Sequence, residues 1–411
     1  MPDRQYSRRQ YVKAAGAAGL AGATGLSGCT AFGGGGSGSD TITIGAAVPE
    51  SGPLSTVGKE MLTGYELGVE MINANDGIDG REVELIVQDD ESDPRKLREA
   101  LQNITSNNDV QAIWGSFSSP LVMAGSAIAE QQGLPFLAVA TCYQEPLVNG
   151  DKEWTYTPFP KTRDVATATK EILEIVPEAE RPARVGIWEP NSGWGSEMAE
   201  AWDQTLSDAG YEVAMRAKFN SGNKDFSTLI SKAQSAEVDA LVSNPQPPDG
   251  ITAMKQLRSS GYMPKFIEFV RASDPQAWWS ALGEAGNHVL MSPGWAPGLN
   301  ANGSDALMSA YAEQAGDDQS ERPRVAVGVG YNLAQTTRQA LSSAESTEPD
   351  AIRSALNGET FSTVIGEFEF DEYGMPAEGQ LTAASAQWQD GEQALVYPQT
   401  DGASELQYPL Q

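Results

Sequence analysis

Histidine and cysteine are almost missing from this chain of 411 residues, which has one histidine and two cysteines. A zinc site usually needs several such ligands, and a nucleophilic hydrolase usually needs a base beside its nucleophile. We therefore expect no metal, no other cofactor and no enzymatic activity. If Cys29 is modified as argued below, Cys142 has no partner for an internal disulfide. We favour Cys142 as a small buried residue; the alternative is that it borders a site.

Positive charge is also scarce. Against 56 acidic residues there are 27 basic ones, and the net charge is −29. A surface of this sign repels nucleic acid and anionic lipid headgroups, so we expect neither as a partner. Because the acidic residues are spread over the whole chain, we read them as a general surface property. Our hypothesis is a halophilic host, in which concentrated salt screens the repulsion.

Long hydrophobic runs are lacking too. A weakly apolar stretch from Ala14 is too short and too rich in glycine and alanine to span a bilayer. It follows Arg8 and Arg9 and leads to the sequence Leu26-Ser27-Gly28-Cys29. These features are typical of a twin-arginine export signal that ends in a lipid-attachment cysteine. The alternatives are a permanent membrane anchor or a disordered tail.

The export signal predicts how the chain is placed in the cell. We expect residues 1–28 to be removed, Cys29 to carry the lipid, and residues 29–40 to form a flexible Gly/Ser tether. The protein would then work outside the cytoplasm, held at the outer face of the cell membrane by the lipid alone.

From Thr41 onward, short β-rich runs alternate with amphipathic helical stretches. This alternation predicts an α/β fold with doubly wound parallel sheets and right-handed crossovers. The pattern restarts after an aromatic, proline-rich segment at 154–160, and a second Pro/Gly-rich segment follows at 292–298. We therefore predict two α/β lobes.

Two local patterns have competing explanations. The acidic run at 89–93 could bind calcium, but at a strand–helix junction we favour helix capping. Gly328-Val329-Gly330 lacks the third glycine of a dinucleotide-binding fingerprint, so we favour a packing role.

A set of short motifs occurs in a fixed order along nearly the whole chain after Thr41: Ser51-Gly52-Pro53-Leu54, Met71-Ile72-Asn73-Ala74, Gln88-Asp89-Asp90, Gly115-Ser116-Phe117-Ser118-Ser119, Ala140-Thr141, and residues 224–230. In this order they resemble the branched-chain amino-acid-binding (Leu/Ile/Val-binding) family of solute-binding lipoproteins of ABC importers. The resemblance implies type I periplasmic-binding-protein architecture, with two Rossmann-like lobes joined by three hinge crossings. Lobe 1 would comprise residues 41–158 and 294–378, and lobe 2 residues 159–293 and 379–411.

The resemblance also implies a ligand site in the cleft between the lobes. Its anionic end would be bound at Ser118-Ser119 and Ala140-Thr141, where backbone N–H groups and helix dipoles favour an anion. Ser119 could instead only cap a helix, and the two roles are compatible. The other candidate site residues are Trp194, which matches a family aromatic, Gln246, which aligns with a family tyrosine, and Glu268, which flanks the family's acidic position. Tyr331 lies close to a family aromatic position, but it could equally belong to a helical core.

Some positions depart from the family pattern. Val57 stands where the family has an aromatic residue, and Gln246 stands where it has a tyrosine. The acid that pairs with a ligand ammonium aligns near Val270, so Glu268 or Asp249 would have to supply that charge. If neither faces the cleft, the ligand is a carboxylate, urea or short amide without an ammonium group, and Arg271, which flanks Val270, could contribute to its binding.

The resemblance implies a monomeric receptor that delivers its small-molecule ligand to ABC permease and ATPase subunits. The expected ligand is a branched-chain or other amino acid. Competing functions of another class are a secreted hydrolase and a ligand sensor that docks on a signalling partner.

Overall fold

The computed structural model describes residues 4–6, 41–138, 141–299, 301–315 and 322–410. The predicted export and lipidation residues Arg8, Arg9 and Cys29 lie outside these ranges, as does Ala140. No helix within the described ranges combines the length and apolar character needed to cross a bilayer.

The first sheet is built from the N-terminal part of the chain. Its elements are β1 (Arg4–Tyr6), β2 (Thr41–Val48), α1 (Ser55–Ala74), β3 (Glu82–Asp89), α2 (Pro94–Asn107), β4 (Ala112–Trp114), α3 (Ser119–Gln132), β5 (Phe136–Leu137), α4 (Glu145–Val148) and β6 (Thr155–Tyr156). The strand order is β1-β3-β2-β4-β5-β6, with every pair parallel except β1–β3.

The chain then passes to a second set of elements. These are α5 (Thr162–Ile175), β7 (Arg184–Pro190), α6 (Gly193–Asp208), β8 (Glu212–Phe219), α7 (Ser227–Ser235), β9 (Ala240–Ser243), α8 (Pro247–Ser260), β10 (Phe266–Phe269), α9 (Gln276–Leu282) and β11 (Leu290–Met291), with short 3-10 helices at Glu178–Glu180 and Gly283–Gly286.

A third stretch returns to the first set. It contains α10 (Ser304–Ala315), α11 (Val325–Ser343), α12 (Pro349–Gly358) and the hairpin β12 (Thr360–Thr363) and β13 (Gly366–Glu369). Helix α11 packs closely on α1: a Cβ added to Gly330 would lie 2.3 Å from the carbonyl oxygen of Met61. The predicted packing role of the Gly328–Gly330 segment is therefore confirmed.

The chain finally rejoins the second sheet through β14 (Ser385–Gln389) and β15 (Glu392–Tyr397). That sheet has the order β15-β14-β11-β10-β9-β7-β8, and β14 pairs antiparallel with both neighbours. Two doubly wound lobes are present, connected by three passages of chain: the first runs from β6 to α5, the second from β11 to α10 and the third from β13 to β14. The predicted fold class is therefore confirmed.

The three passages lie side by side. The N–H of Thr157 in the first donates to the carbonyl of Gly374 in the third, at 2.7 Å. Asn332 of α11 donates from Nδ2 to the carbonyl of Pro158, at 2.8 Å. The second passage lies against the first, since a Cβ added to Gly294 would lie 2.3 Å from the ring of Phe159. Arg271 also donates to the carbonyl of Pro293 in the second passage, at 2.9 Å. Adjacent connections of this kind allow two lobes to pivot as rigid bodies.

Local sequence explains where the elements begin. Asp93 caps α2 by accepting hydrogen bonds from the N–H groups of Arg95 and Lys96, at 2.7 and 3.2 Å, and Pro94 occupies the first helical turn. Capping, the predicted role of the acidic run, is confirmed for Asp93. Cys142 is buried and its pKa is raised to about 12 by burial, which confirms the expectation that it is a small buried residue.

One element was not expected. The sequence predicted no fold element before Thr41, but Arg4–Tyr6 forms an antiparallel strand beside β3, with Gln5 opposite Ile86. Among the parallel strands, β3 has only β2 as a neighbour. The other edge of β3 therefore presents backbone N–H and C=O groups with which an extended segment such as β1 can pair.

Candidate functional site

A cleft of about 560 Å³ lies between the two lobes. The first lobe contributes Ser118, Ser119 and Tyr143 to its walls, and the second contributes Trp194, Asn244, Gln246 and Asp249. A groove of about 680 Å³ lies elsewhere, between β8 and α7 on the outside of the second lobe. That groove is lined by one lobe alone, whereas a site that drives lobe closure must be lined by both.

The first wall is organised around the start of α3. Ser118 adopts φ 84° and ψ 144°, a conformation that non-glycine residues rarely take. This turn brings the N-terminal end of the 14-residue helix α3 to the cleft. Backbone N–H groups without helical partners point out of such an end, which favours an anion.

The two predicted hydroxyl groups meet beside this helix end. The Oγ of Ser119 lies 3.2 Å from the Oγ1 of Thr141. Ser119 is half-buried and lines the cleft, whereas Thr141 is fully buried behind it. The structure thus brings together two polar groups that are separated by 22 residues in the chain.

Behind Thr141 lies a buried lysine that the sequence did not identify. The Nζ of Lys161 donates to the carbonyl of Thr141 at 3.0 Å and to the Oγ1 of Thr157 at 2.7 Å. Burial lowers the pKa of Lys161 to about 7. In its protonated form, Lys161 places a positive charge below the end of the cleft that favours an anion. It follows Phe159-Pro160 in the first passage, and no spacing pattern distinguishes it from a surface lysine.

The second wall begins with Trp194 at the start of α6. Its flanking glycines are required: a Cβ on Gly193 would lie 2.0 Å from the Oη of Tyr143, and one on Gly195 would lie 1.9 Å from the carbonyl of Pro190. Trp194 is half-buried and lines the cleft. The structure therefore places this aromatic ring where the resemblance implied.

Three polar residues complete the second wall where β9 ends and α8 begins. Gln246 precedes α8 and lines the cleft. Both carboxylate oxygens of Asp249 accept from the N–H of Gly222, at 2.9 and 3.0 Å, and burial raises the pKa of Asp249. Asn244 also lines the cleft and was missed in the sequence; its signal was a polar residue directly after a buried strand, a common position for ligand contacts in α/β folds.

Glu268 is not in the cleft, contrary to the prediction that it could supply the charge for a ligand ammonium. It is fully buried in β10, where its Oε2 accepts from the Oγ1 of Thr169 at 2.6 Å and its Oε1 accepts from the Oγ of Ser292 at 2.8 Å. Burial raises the pKa of Glu268 to about 7. Both oxygens are therefore engaged inside the second lobe, so this residue cannot pair with a ligand ammonium here.

Tyr331 and Arg271 are also placed elsewhere. Tyr331 is buried in α11 and packs against α1, where a Cβ on Gly68 would lie 3.5 Å from its ring, so its core role is the one observed. Arg271 is buried and pairs with Asp274 at 2.8 Å. Its guanidinium also lies 5.2 Å from the ring centre of Phe117 in the first lobe.

These placements decide the charge of the cleft. Among the described residues that line it, Asp249 is the only charged side chain, and no lysine or arginine is included. The second wall therefore favours hydrogen-bond donors, while the end of α3 favours an anion.

Glu197 connects the two walls beside the cleft. This residue of α6 accepts from the backbone N–H groups of Gln144 and Glu145, at 3.0 and 2.9 Å, and from the Oγ1 of Thr162 at 2.6 Å. Because Gln144 and Glu145 belong to the first lobe, these hydrogen bonds hold the lobes together on one side of the cleft.

Comparison with known proteins places this architecture in a wider group. A family described as periplasmic binding protein matches residues 41–392. Leu/Ile/Val-binding protein homolog 7 of Brucella abortus (strain 2308) is 27% identical over 397 residues, covering 90% of this chain and 95% of that protein. Leu/Ile/Val-binding protein homolog 8 of the same strain is 23% identical over 393 residues, covering 89% of this chain and 93% of that protein.

Solved structures share the fold at low sequence identity. A leucine-binding protein LivK from Thermotoga maritima MSB8 aligns with a TM-score of 0.72 at 19% identity, covering 86% of this chain and 97% of that one. The branched-chain amino acid transporter substrate-binding protein LivJ from Streptococcus pneumoniae, in complex with isoleucine, aligns with a TM-score of 0.73 at 19% identity, covering 87% and 100%.

Proposed function

This chain belongs to the periplasmic binding protein family, and we propose that it is the receptor of an ABC importer that captures an amino acid or a related amide. The observation that carries the proposal is the two-sided cleft. Ser119 and the start of α3 lie on one wall, Trp194 lies on the other, and the volume of about 560 Å³ suits a small polar molecule.

The geometry supports a closing mechanism. A ligand that contacts both walls binds the closed state more tightly than the open state, and this difference in affinity drives closure. Closure removes water from the ligand, so each of its polar groups must find a partner. We propose that the ligand carboxylate pairs with the Ser119 hydroxyl and the N–H groups at the start of α3, with Thr141 and Lys161 behind them.

The structure offers fewer partners for the end of the ligand that lies opposite its carboxylate. Since Glu268 does not reach the cleft, Asp249 is the carboxylate available to an ammonium group. A carboxylate, urea or short amide without an ammonium is the alternative ligand class.

The family and the N-terminal sequence support a proposal for how the receptor is anchored and how it passes its ligand to the importer. We propose that residues 1–28 direct export, that Cys29 carries a lipid at the outer face of the membrane, and that residues 29–40 form a tether. The lobe boundaries given above are part of this proposal. A monomer with this anchor would pass its ligand to permease and ATPase subunits. A sensor that docks its closed form on a signalling partner remains the second candidate, because the same closure would serve it.

Calorimetric titration tests the proposal. The purified full-length chain, in molar KCl, is titrated with leucine, isoleucine, valine, asparagine, glutamine, urea and acetamide. We expect at least one compound to bind, and we expect Ser119→Ala to weaken that binding about tenfold or more, because a hydrogen bond to a charged group is lost. Ser106→Ala, on the exposed side of α2, is the matched control and should bind like the wild type. Absence of binding by every compound, or equal weakening in both variants, would overturn the proposal.

A further inference from the structure

We infer that Asn244 selects the ligand, and that it selects an amino acid whose side chain ends in a carboxamide rather than in a branched alkyl group. This inference rests on the proposed function, because it assigns the second wall of the same cleft. The observation behind it is an unpaired acceptor at a buried position: Asn244 is 2% exposed, and its Oδ1 has no hydrogen-bond partner among the described residues.

The position of Asn244 is rigid. It directly follows β9, whose last residue, Ser243, donates from Oγ to the carbonyl of Trp188 at 2.6 Å and accepts from the N–H of Val270 at 3.0 Å. It directly precedes Pro245, and two further prolines open α8. Proline fixes its own φ and restricts the residue before it. The backbone that carries Asn244 is therefore fixed, and its side chain lines the cleft.

The orientation of the Asn244 amide is also determined. Its Nδ2 donates to the carbonyl of Trp194 at 3.3 Å. This contact assigns the nitrogen to Trp194 and leaves Oδ1 as the atom that needs a donor. A buried acceptor without a partner is costly, and native proteins rarely leave one unpaired without a functional reason.

A neighbouring donor in the same wall specifies the chemistry further. The indole N–H of Trp194 is a buried donor that has no partner among the described residues. Asp249 does not belong to this pair: its carboxylate already accepts from the backbone N–H groups of Gly222 and Asn223, and it is the acid that faces the ligand ammonium. A terminal carboxamide offers N–H donors and a carbonyl acceptor, which complement the acceptor Oδ1 of Asn244 and the donor N–H of Trp194. A branched alkyl side chain would leave both groups unpaired when the cleft closes.

Asparagine and leucine make a sharp test because their side chains have nearly the same shape. We expect the full-length protein to bind asparagine or glutamine at least about tenfold more tightly than leucine in calorimetric titrations. Asn244→Leu keeps the volume and removes the acceptor, so this preference should fall to within about threefold of equality. Asn103→Leu, on the exposed face of α2, is the control and should keep the wild-type preference.

The outcomes separate this inference from the proposed function. If no compound binds, the proposed function itself fails. If leucine binds as tightly as asparagine and glutamine, or if Asn244→Leu keeps the preference, the receptor stands and the role of Asn244 is refuted. Preference for lysine over glutamine would assign an ammonium instead and would also overturn the carboxamide. Should Asn244→Leu fail to fold, the wild-type ratios alone decide, and Asn244→Asp should shift the preference from glutamine toward lysine.

Discussion

Glu268 provides a prediction that can be worked through from its hydrogen bonds. The single hydrogen of the Thr169 hydroxyl has two acceptors within reach, the carbonyl of Val165 at 2.9 Å and the Oε2 of Glu268 at 2.6 Å. The N–H of Trp202 donates to the same hydroxyl at 2.9 Å. If Glu268 is protonated, its O–H donates to Thr169 and Thr169 donates to Val165, so every group is paired. This agrees with a pKa raised to about 7 by burial.

The direction and size of the change in unfolding free energy with pH follow from the linkage between proton binding and folding. The pKa of Glu268 rises from 4.5 to about 7 on folding, so its contribution to stability is complete below pH 4.5 and is lost as the pH rises through 7. Each pKa unit corresponds to about 1.4 kcal/mol, so the total is about 3 kcal/mol. Glu268→Gln replaces the protonated acid by a neutral amide that can still donate to Thr169 and accept from Ser292.

Urea unfolding at fixed high KCl concentration measures the difference. At pH 4.5 the variant and the wild type should unfold with similar free energies. At pH 8.5 the variant should be more stable by up to about 3 kcal/mol. The buried carboxyls of Glu60 and Asp90 also have raised pKa values, about 7 and about 6, but they are present in both proteins and cancel in the comparison. A difference between the two proteins that does not change with pH would refute the reasoning.

Two other perturbations test the passages and the packing of the lobes. Burial lowers the pKa of Lys161 from 10.5 to about 7, so the unfolding free energy of the wild type should rise between pH 7 and 10.5. In the same urea series, Lys161→Met should remove the contribution of this lysine to that rise. An equal rise in the variant and the wild type would contradict the burial of this charge. Gly330→Ala should cost about 1–3 kcal/mol, since its Cβ would lie 2.3 Å from the Met61 carbonyl. Gly358→Ala, whose Cβ meets no atom within 4 Å, is the control, and equal melting temperatures for the two variants would exclude the close approach of α1 and α11.

Much of the fold could be predicted from sequence because parallel strands are buried on both faces. In β2, Ile42, Ile44 and Ala47 are all fully buried, which produces the apolar run visible in the sequence. The resemblance implied the hydroxyls of Ser119 and Thr141, and the fold explains why they meet. Each follows the carboxyl end of a strand, and neighbouring parallel strands bring such ends together.

The rest of the site depends on contacts that spacing cannot reveal. Glu268 lies on a strand, and only the packing of α5 decides that its carboxyl meets Thr169 rather than the ligand. Tyr331 has the helical spacing of a core residue and of a cleft residue alike. Lys161 is buried because the first and third passages lie against each other, a juxtaposition that joins residues more than 200 positions apart, such as Thr157 and Gly374.

A crystal structure of the protein grown with its tightest-binding amino acid tests the central claim most directly. The account predicts ligand density between the lobes, with the carboxylate at the Ser119 hydroxyl and the start of α3, and with the opposite end against Trp194 and Asn244. Density that contacts one lobe alone, or that lies outside this cleft, would contradict it.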